Sequence, residues 1–147
     1  MIEQAITQLL PRILSLKEKQ TLFVEYVCHS QVDIYFRFAQ KHDFDGNEYK
    51  RLYLLLGTDH KENIEESLKK IAPDMDDFAG DLEATAALDA CAILNQAFLF
   101  FENRSPRHLK NILEHYLNVP EIMTQETNDK QFFEEAFLAL NNMIFKE

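Results

Sequence analysis

Along this chain apolar positions recur at intervals of three, four and seven residues, the spacing that lines one face of an α-helix. A first short helix is expected from about Ile2 to Leu10, broken at Pro11 because proline brings no N–H and crowds the preceding turn. Ser15-Leu16-Lys17-Glu18 has the form of a capping box, with Ser15 accepting an exposed backbone N–H and Glu18 reaching back. Leu16, Phe23, Val27, Ile34 and Phe38 then follow at 7, 4, 7 and 4. That face fits one continuous helix or a restart at Ser30-Gln31-Val32-Asp33, and the pattern does not choose between them.

Asp45-Gly46-Asn47-Glu48 reads as the cap of a further helix through Tyr49, Leu52, Tyr53 and Leu56, stopped at Gly57. Asp59 with Glu62 is expected to open the next, which carries Ile64, Leu68 and Ile71 and ends before Pro73. A polar loop over 73–81 leads into a long segment from about Leu82 to Asn103, alanine-rich at first and aromatic at its end, as suits a central helix buried nearly all round. Ser105-Pro106 is an N-cap followed by proline at the first helical position, starting a helix with Leu109, Ile112, Leu113 and Tyr116. The last helix runs from about Asn128 and buries Phe133, Phe137, Leu140 and Ile144. No repeat or linker interrupts the series. The expected architecture is all-α, one compact bundle of about six to eight helices spanning 1–147.

Composition strengthens that reading. The chain holds 19 Leu against 4 Val, and unbranched side chains lose less rotamer freedom in a helix than β-branched ones. Hydrophobic residues make up 46% and charged residues 27%, which excludes a disordered or collagen-like chain. The N-terminus has Glu3, no basic start and no sustained apolar stretch, so no signal peptide is expected. Apolar runs such as Ala97 to Phe101 end after five residues, far short of the ~18 of a membrane span. The expected compartment is the cytoplasm. Cys28 and Cys91 are too few for a thiolate zinc site or a disulfide framework. They can form one bridge, but two small buried hydrophobes in a reducing compartment are the expectation.

Several chemistries fail on spacing. The five histidines offer no Glu-x-x-His or His-Glu-x-x-His motif. His108 and His115 share a helix face without a carboxylate or cysteine to complete a metal set, so they are expected at the surface. Glu25, His29 and Asp33 form a stripe that reads as a solvated face. Asp43-Phe44-Asp45-Gly46-Asn47 has the look of a calcium loop, but counting from Asp43 puts Glu48 and Leu54 where glycine and the bidentate glutamate belong. Three glycines leave no phosphate-cradling loop and no nucleophile elbow. No catalytic residue, metal or cofactor is expected, and the chain is read as a non-enzyme.

Charge adds the remaining signal. There are 25 acids and 15 bases, a net −10, the opposite balance to a nucleic-acid binder. Residues 1–58 balance at seven each, while the 31 residues from Asp59 to Asp89 hold ten acids and three bases, or −7. Within the helix there, Glu65 with Lys69 and Glu66 with Lys70 are spaced as favourable pairs. The loop following it is unpaired in sequence: Asp74, Asp76, Asp77, Asp81 and Glu83 occupy ten residues without a base. One of Asp76, Asp77 or Asp81 must cap the long helix, so capping and partner binding compete for the same acids. The candidate partner-binding residues are Asp74, Asp76, Asp77, Asp81, Glu83, Glu62 and Glu66.

Asp76-Asp77-Phe78 with Ala86-Ala87-Leu88-Asp89-Ala90-Cys91-Ala92-Ile93-Leu94 resembles the central helix of the YjaG-like bacterial proteins, a domain family of unknown function. Leu22-Phe23 through Cys28, and Phe44-Asp45-Gly46 with Tyr49-Lys50-Arg51-Leu52, are similar to that family's earlier helices. The resemblance covers roughly residues 10–118 and implies an all-helical cytoplasmic protein without supplying an activity. The chain departs from the pattern in being shorter and strongly acidic, with an unmatched part from about Asn118. The resulting expectation is an acidic domain that engages a basic protein, most concretely an immunity-type inhibitor of a basic nuclease-like toxin, with no direct contact to nucleic acid or membrane. The alternative is a housekeeping cytoplasmic protein acting as a homo-oligomer or small-ligand binder, with Phe98, Phe100 and Phe101 as its apolar interface or pocket.

Overall fold

The computed structural model describes residues 1–15 and 17–145, and of Phe145 only the backbone. Within them the chain is a bundle of seven helices: α1 (Ile2–Leu14), α2 (Lys17–His42), α3 (Gly46–Leu54), α4 (Ile64–Lys69), α5 (Leu82–Asn103), α6 (Pro106–Thr127) and α7 (Gln131–Phe145). α5 is the axis, packed against α2, α4 and α6; α1 and α7 close over α6 and α2, and α3 lies on α2. Fully buried Ala84, Ala87, Ala90 and Ala97 let neighbouring backbones approach α5, while Ile93, Leu94 and Phe100 fill the space between them. One 18-residue window of α5 reaches a mean hydropathy of 1.5, long and apolar enough to cross a membrane although no uninterrupted apolar run of that length exists. Half of that window is buried inside the bundle, which accounts for its apolarity as a core helix.

Local signals hold at three helix starts. Asp45 accepts from the backbone N–H of Glu48, Asp81 from that of Ala84 and Ser105 from that of Arg107, so α3, α5 and α6 are capped as their sequences predict. Gly46 at the start of α3 is required by a close approach, since a Cβ there would meet the Phe36 ring at 2.8 Å. Gly57 follows the turn that ends α3 and has φ +78°, a conformation glycine adopts at no steric cost.

Four boundaries differ from expectation. α1 does not break at Pro11 but continues to Leu14. Proline inside a helix costs about 3 kcal/mol. Fully buried Leu9 and Ile13 on either side of it recover that by holding the helix in the core. Ser15 donates its hydroxyl to the Arg12 carbonyl at 2.7 Å, closing α1 rather than opening α2, and Leu16 of the expected capping box and apolar face lies outside the described residues. α4 is capped by Asn63, which accepts from the Glu66 N–H, not by Asp59. Asn128, in the left-handed conformation, ends α6, and α7 begins only at Gln131. From Lys17 to His42, α2 is a single helix with no restart at Ser30, whose hydroxyl donates to the Val27 carbonyl.

Cys28 and Cys91 are both free and buried. Burial pushes each thiol up to about 12, with the Glu25 carboxylate adding to the effect at Cys28. The thiolate is the reactive form. Neither cysteine of the native chain is therefore expected to react with a thiol-exchange reagent at pH 8 within minutes, and both should react at once in denaturant. Rapid labelling of the folded chain would show that one of them is accessible.

Candidate functional site

The acidic segment folds into two unlike parts. On the α4 side, Glu62 is engaged: Arg51 Nη1 lies 2.8 Å from its Oε1, and the Ser67 hydroxyl donates to its Oε2 at 3.2 Å. The Arg51 guanidinium, which also binds Glu48, holds the Glu62 carboxyl below its ordinary range. Glu65 and Lys69 pair at 3.3 Å as expected, but Glu66 and Lys70 do not close into a pair and the Glu66 carboxylate stands in solvent.

Tertiary contacts supply bases that the loop itself lacks. Lys41, in the last turn of α2, pairs with Glu83 at 3.2 Å. Asp81 caps α5 through Oδ1, while its Oδ2 lies 3.9 Å from Nε2 of His42. The His42 ring sits between Phe38 and Phe78, with centroids at 4.9 and 5.0 Å. Phe78 also meets Phe38 and Phe44 edge-on, so this aromatic cluster pins the base of the acidic loop to α2. What stays unpaired is narrower than the sequence suggests. Asp74, Asp76 and Asp77 are exposed, and among the described residues no cation meets them. Asp74 Oδ1 accepts from the Asp76 N–H at 3.0 Å, and its carbonyl accepts from the Asp77 N–H at 2.9 Å, which fixes the three carboxylates on one tight turn. Of the seven candidate residues, Asp74, Asp76, Asp77 and Glu66 meet no cation among the described residues, while Asp81, Glu83 and Glu62 are engaged by other elements or by a cap.

The tenth acid of the segment is not at the surface. Asp89 is 8% exposed, on the α6 side of α5. Its Oδ1 accepts from His115 Nδ1 at 2.8 Å, and its Oδ2 accepts from Asn118 Nδ2 at 2.9 Å. His115 is thus an interhelical residue rather than a purely surface one, and so is His108, whose Nδ1 lies 2.8 Å from Gln96 Oε1. The signal in the sequence was a lone acid inside the apolar run from Ala86 to Leu94: a buried carboxylate needs donors, and two polar residues of α6 provide them. The Glu25, His29 and Asp33 stripe is exposed, with Asp33 paired to Arg37.

Asp89 and His115 border a cleft of about 570 Å³ between α2, α5, α6 and α7, walled mainly by apolar side chains. A second cavity of about 620 Å³ lies beside α4 and the end of α5, where Phe98 and Phe101 are half-buried and His60 meets Phe98 edge-on at 5.3 Å. Phe100 is fully buried in the core and does not reach it. Arg104 covers that end, its guanidinium 5.0 and 4.9 Å from the Phe100 and Phe101 rings.

No family model, curated protein or solved structure matches the chain. The structure gives the residues on which the expected resemblance was drawn local roles. Asp76 and Asp77 form the exposed turn, Phe78 anchors it, Asp89 holds α6, and Cys91 is packed in the core.

Proposed function

We propose that this chain is a non-enzymatic binding protein that acts in the cytoplasm and engages a basic protein through its acidic turn. In its most concrete form it is an immunity-type inhibitor that covers the cationic surface of a nuclease-like toxin, with no direct contact to nucleic acid or membrane. On the resemblance of its central helix, it would be a shortened, acidic relative of the YjaG-like family. The observation that carries the proposal is the set of Asp74, Asp76 and Asp77. These three carboxylates are exposed on a turn anchored by Phe78, and no cation among the described residues meets them. A rigid, single-sign surface costs little ordering on binding and steers an oppositely charged partner. A protein shaped to meet phosphate presents the complementary charge.

The test begins with co-purification from the native host, followed by stopped-flow association with the basic protein recovered. Reversing Asp74, Asp76 and Asp77 together to Lys should slow association about tenfold at low salt and flatten its salt dependence. Circular dichroism should stay unchanged. If the recovered protein is a nuclease, the wild-type chain should inhibit it and the triple variant should do so poorly. An unchanged association rate and salt slope would sink the proposal.

A further inference from the structure

The cleft between α2, α5, α6 and α7 carries a second, independent reading. Its walls are Ile34, Leu82, Ala86, Val119, Met123 and Ala136, and its volume of about 570 Å³ is that of a small-molecule site. The charged side chains that line it each have a partner within the chain. Arg37 at the mouth pairs with Asp33 at 2.6 Å, Glu83 pairs with Lys41, and both oxygens of Asp89 accept from α6.

What remains open are acceptors. A carboxylate oxygen can only accept, so the His115 Nδ1 facing Asp89 must carry its proton, and in the uncharged ring Nε2 is then a lone-pair acceptor. Among the described residues Nε2 of His115 has no partner, and the side chain is 40% exposed. Gln31 is 4% exposed; its amide nitrogen donates to Ser30 Oγ, and its amide oxygen has no partner among the described residues. Pro120 lies inside α6 and has no N–H to give the carbonyl of Tyr116, and both residues line the cleft. Burial holds the Tyr116 hydroxyl above its ordinary range, and the neighbouring Tyr26 adds to the effect.

We propose that this cleft binds a neutral, mainly apolar small molecule bearing a hydroxyl group, which donates to His115 Nε2. A carboxylate would approach the buried charge of Asp89 with no free cation inside the cleft. An ammonium would find no free carboxylate and would be desolvated at high cost. A hydroxyl donor gives its one proton to one of the open acceptors, His115 Nε2, while its apolar body covers the walls. None of Asp74, Asp76 or Asp77 lines this cleft, so the proposal stands or falls separately from the acidic turn.

The experiment is a fluorescence titration of the full chain with 2-naphthol, naphthalene and 2-naphthoate at pH 7.5. 2-Naphthol should bind saturably, about tenfold more tightly than either reference, the difference one well-placed hydrogen bond makes. His115→Phe should erase the preference for 2-naphthol over naphthalene. Met123→Trp, which fills the cleft, should weaken both by more than about tenfold. Should Met123→Trp lose helical content, Ala136→Phe at the cleft's half-buried edge replaces it. The Asp74, Asp76 and Asp77 reversal should bind 2-naphthol as the wild type does. No saturable 2-naphthol binding, equal affinity for 2-naphthoate, or an unchanged affinity after His115→Phe would each overturn the proposal.

Discussion

Leu94→Ala is expected to lower the unfolding free energy by about 3 kcal/mol, the middle of the range for a buried leucine truncated in a core. Leu94 is fully buried at the centre of α5, beside Ile93, which is equally buried. α5 is held between α2 and α6 and cannot move toward one without leaving the other, so the cavity would collapse only partly. That loss is a large share of a typical stability of about 5–15 kcal/mol and should depress the melting temperature by roughly 10 °C. Leu54→Ala is the control: Leu54 is 63% exposed at the end of α3, and its truncation should change stability by less than about 0.5 kcal/mol. Urea melts with an unchanged slope would report both. A Leu94→Ala effect as small as that of Leu54→Ala would mean that α5 is not the axis of the core.

Asp81→Ala should cost about 1–2 kcal/mol, the loss of an N-cap acceptor at the start of the central helix. The Ala84 N–H, bonded to Asp81 Oδ1 at 3.0 Å, would lose its partner at a part-buried site, and the carboxylate beside His42 Nε2 would go with it. Asp76→Ala and Asp77→Ala should each stay within about 0.5 kcal/mol, because those side chains hold nothing in the folded chain. Asp81→Asn should recover most of the loss, since an amide oxygen also caps. This series separates capping from binding in the acidic loop. Equal destabilisation at Asp76 and Asp81 would show that the whole turn is structural and would weaken the case for a partner surface there.

The helix starts at Asp45, Asp81 and Ser105-Pro106 were readable because each is decided within four residues: one side-chain oxygen and one orphan N–H. Pro11 does not end α1, because Leu9 and Ile13, buried against other helices, outweigh its local penalty. Asn63 displaced Asp59 as a cap for a similar reason. The exposed Asp59 lies outside the turn that Ile64 and Leu68 bury, and the helix starts where its apolar face begins. The acids of 73–83 looked equivalent in sequence, yet Lys41 and His42 come to Glu83 and Asp81 from forty residues away.

By itself the sequence determined the all-helical class, most capped helix starts and the place of the charge, since period, capping and composition are local or additive properties. Only the tertiary structure decided which acids are free and which are paired. It also decided that Asp89 is a buried acceptor for His115 and Asn118, and that α2, α5, α6 and α7 leave a cleft between them. Those facts depend on side chains distant in the chain meeting at a few ångströms. No spacing within one helix encodes that approach.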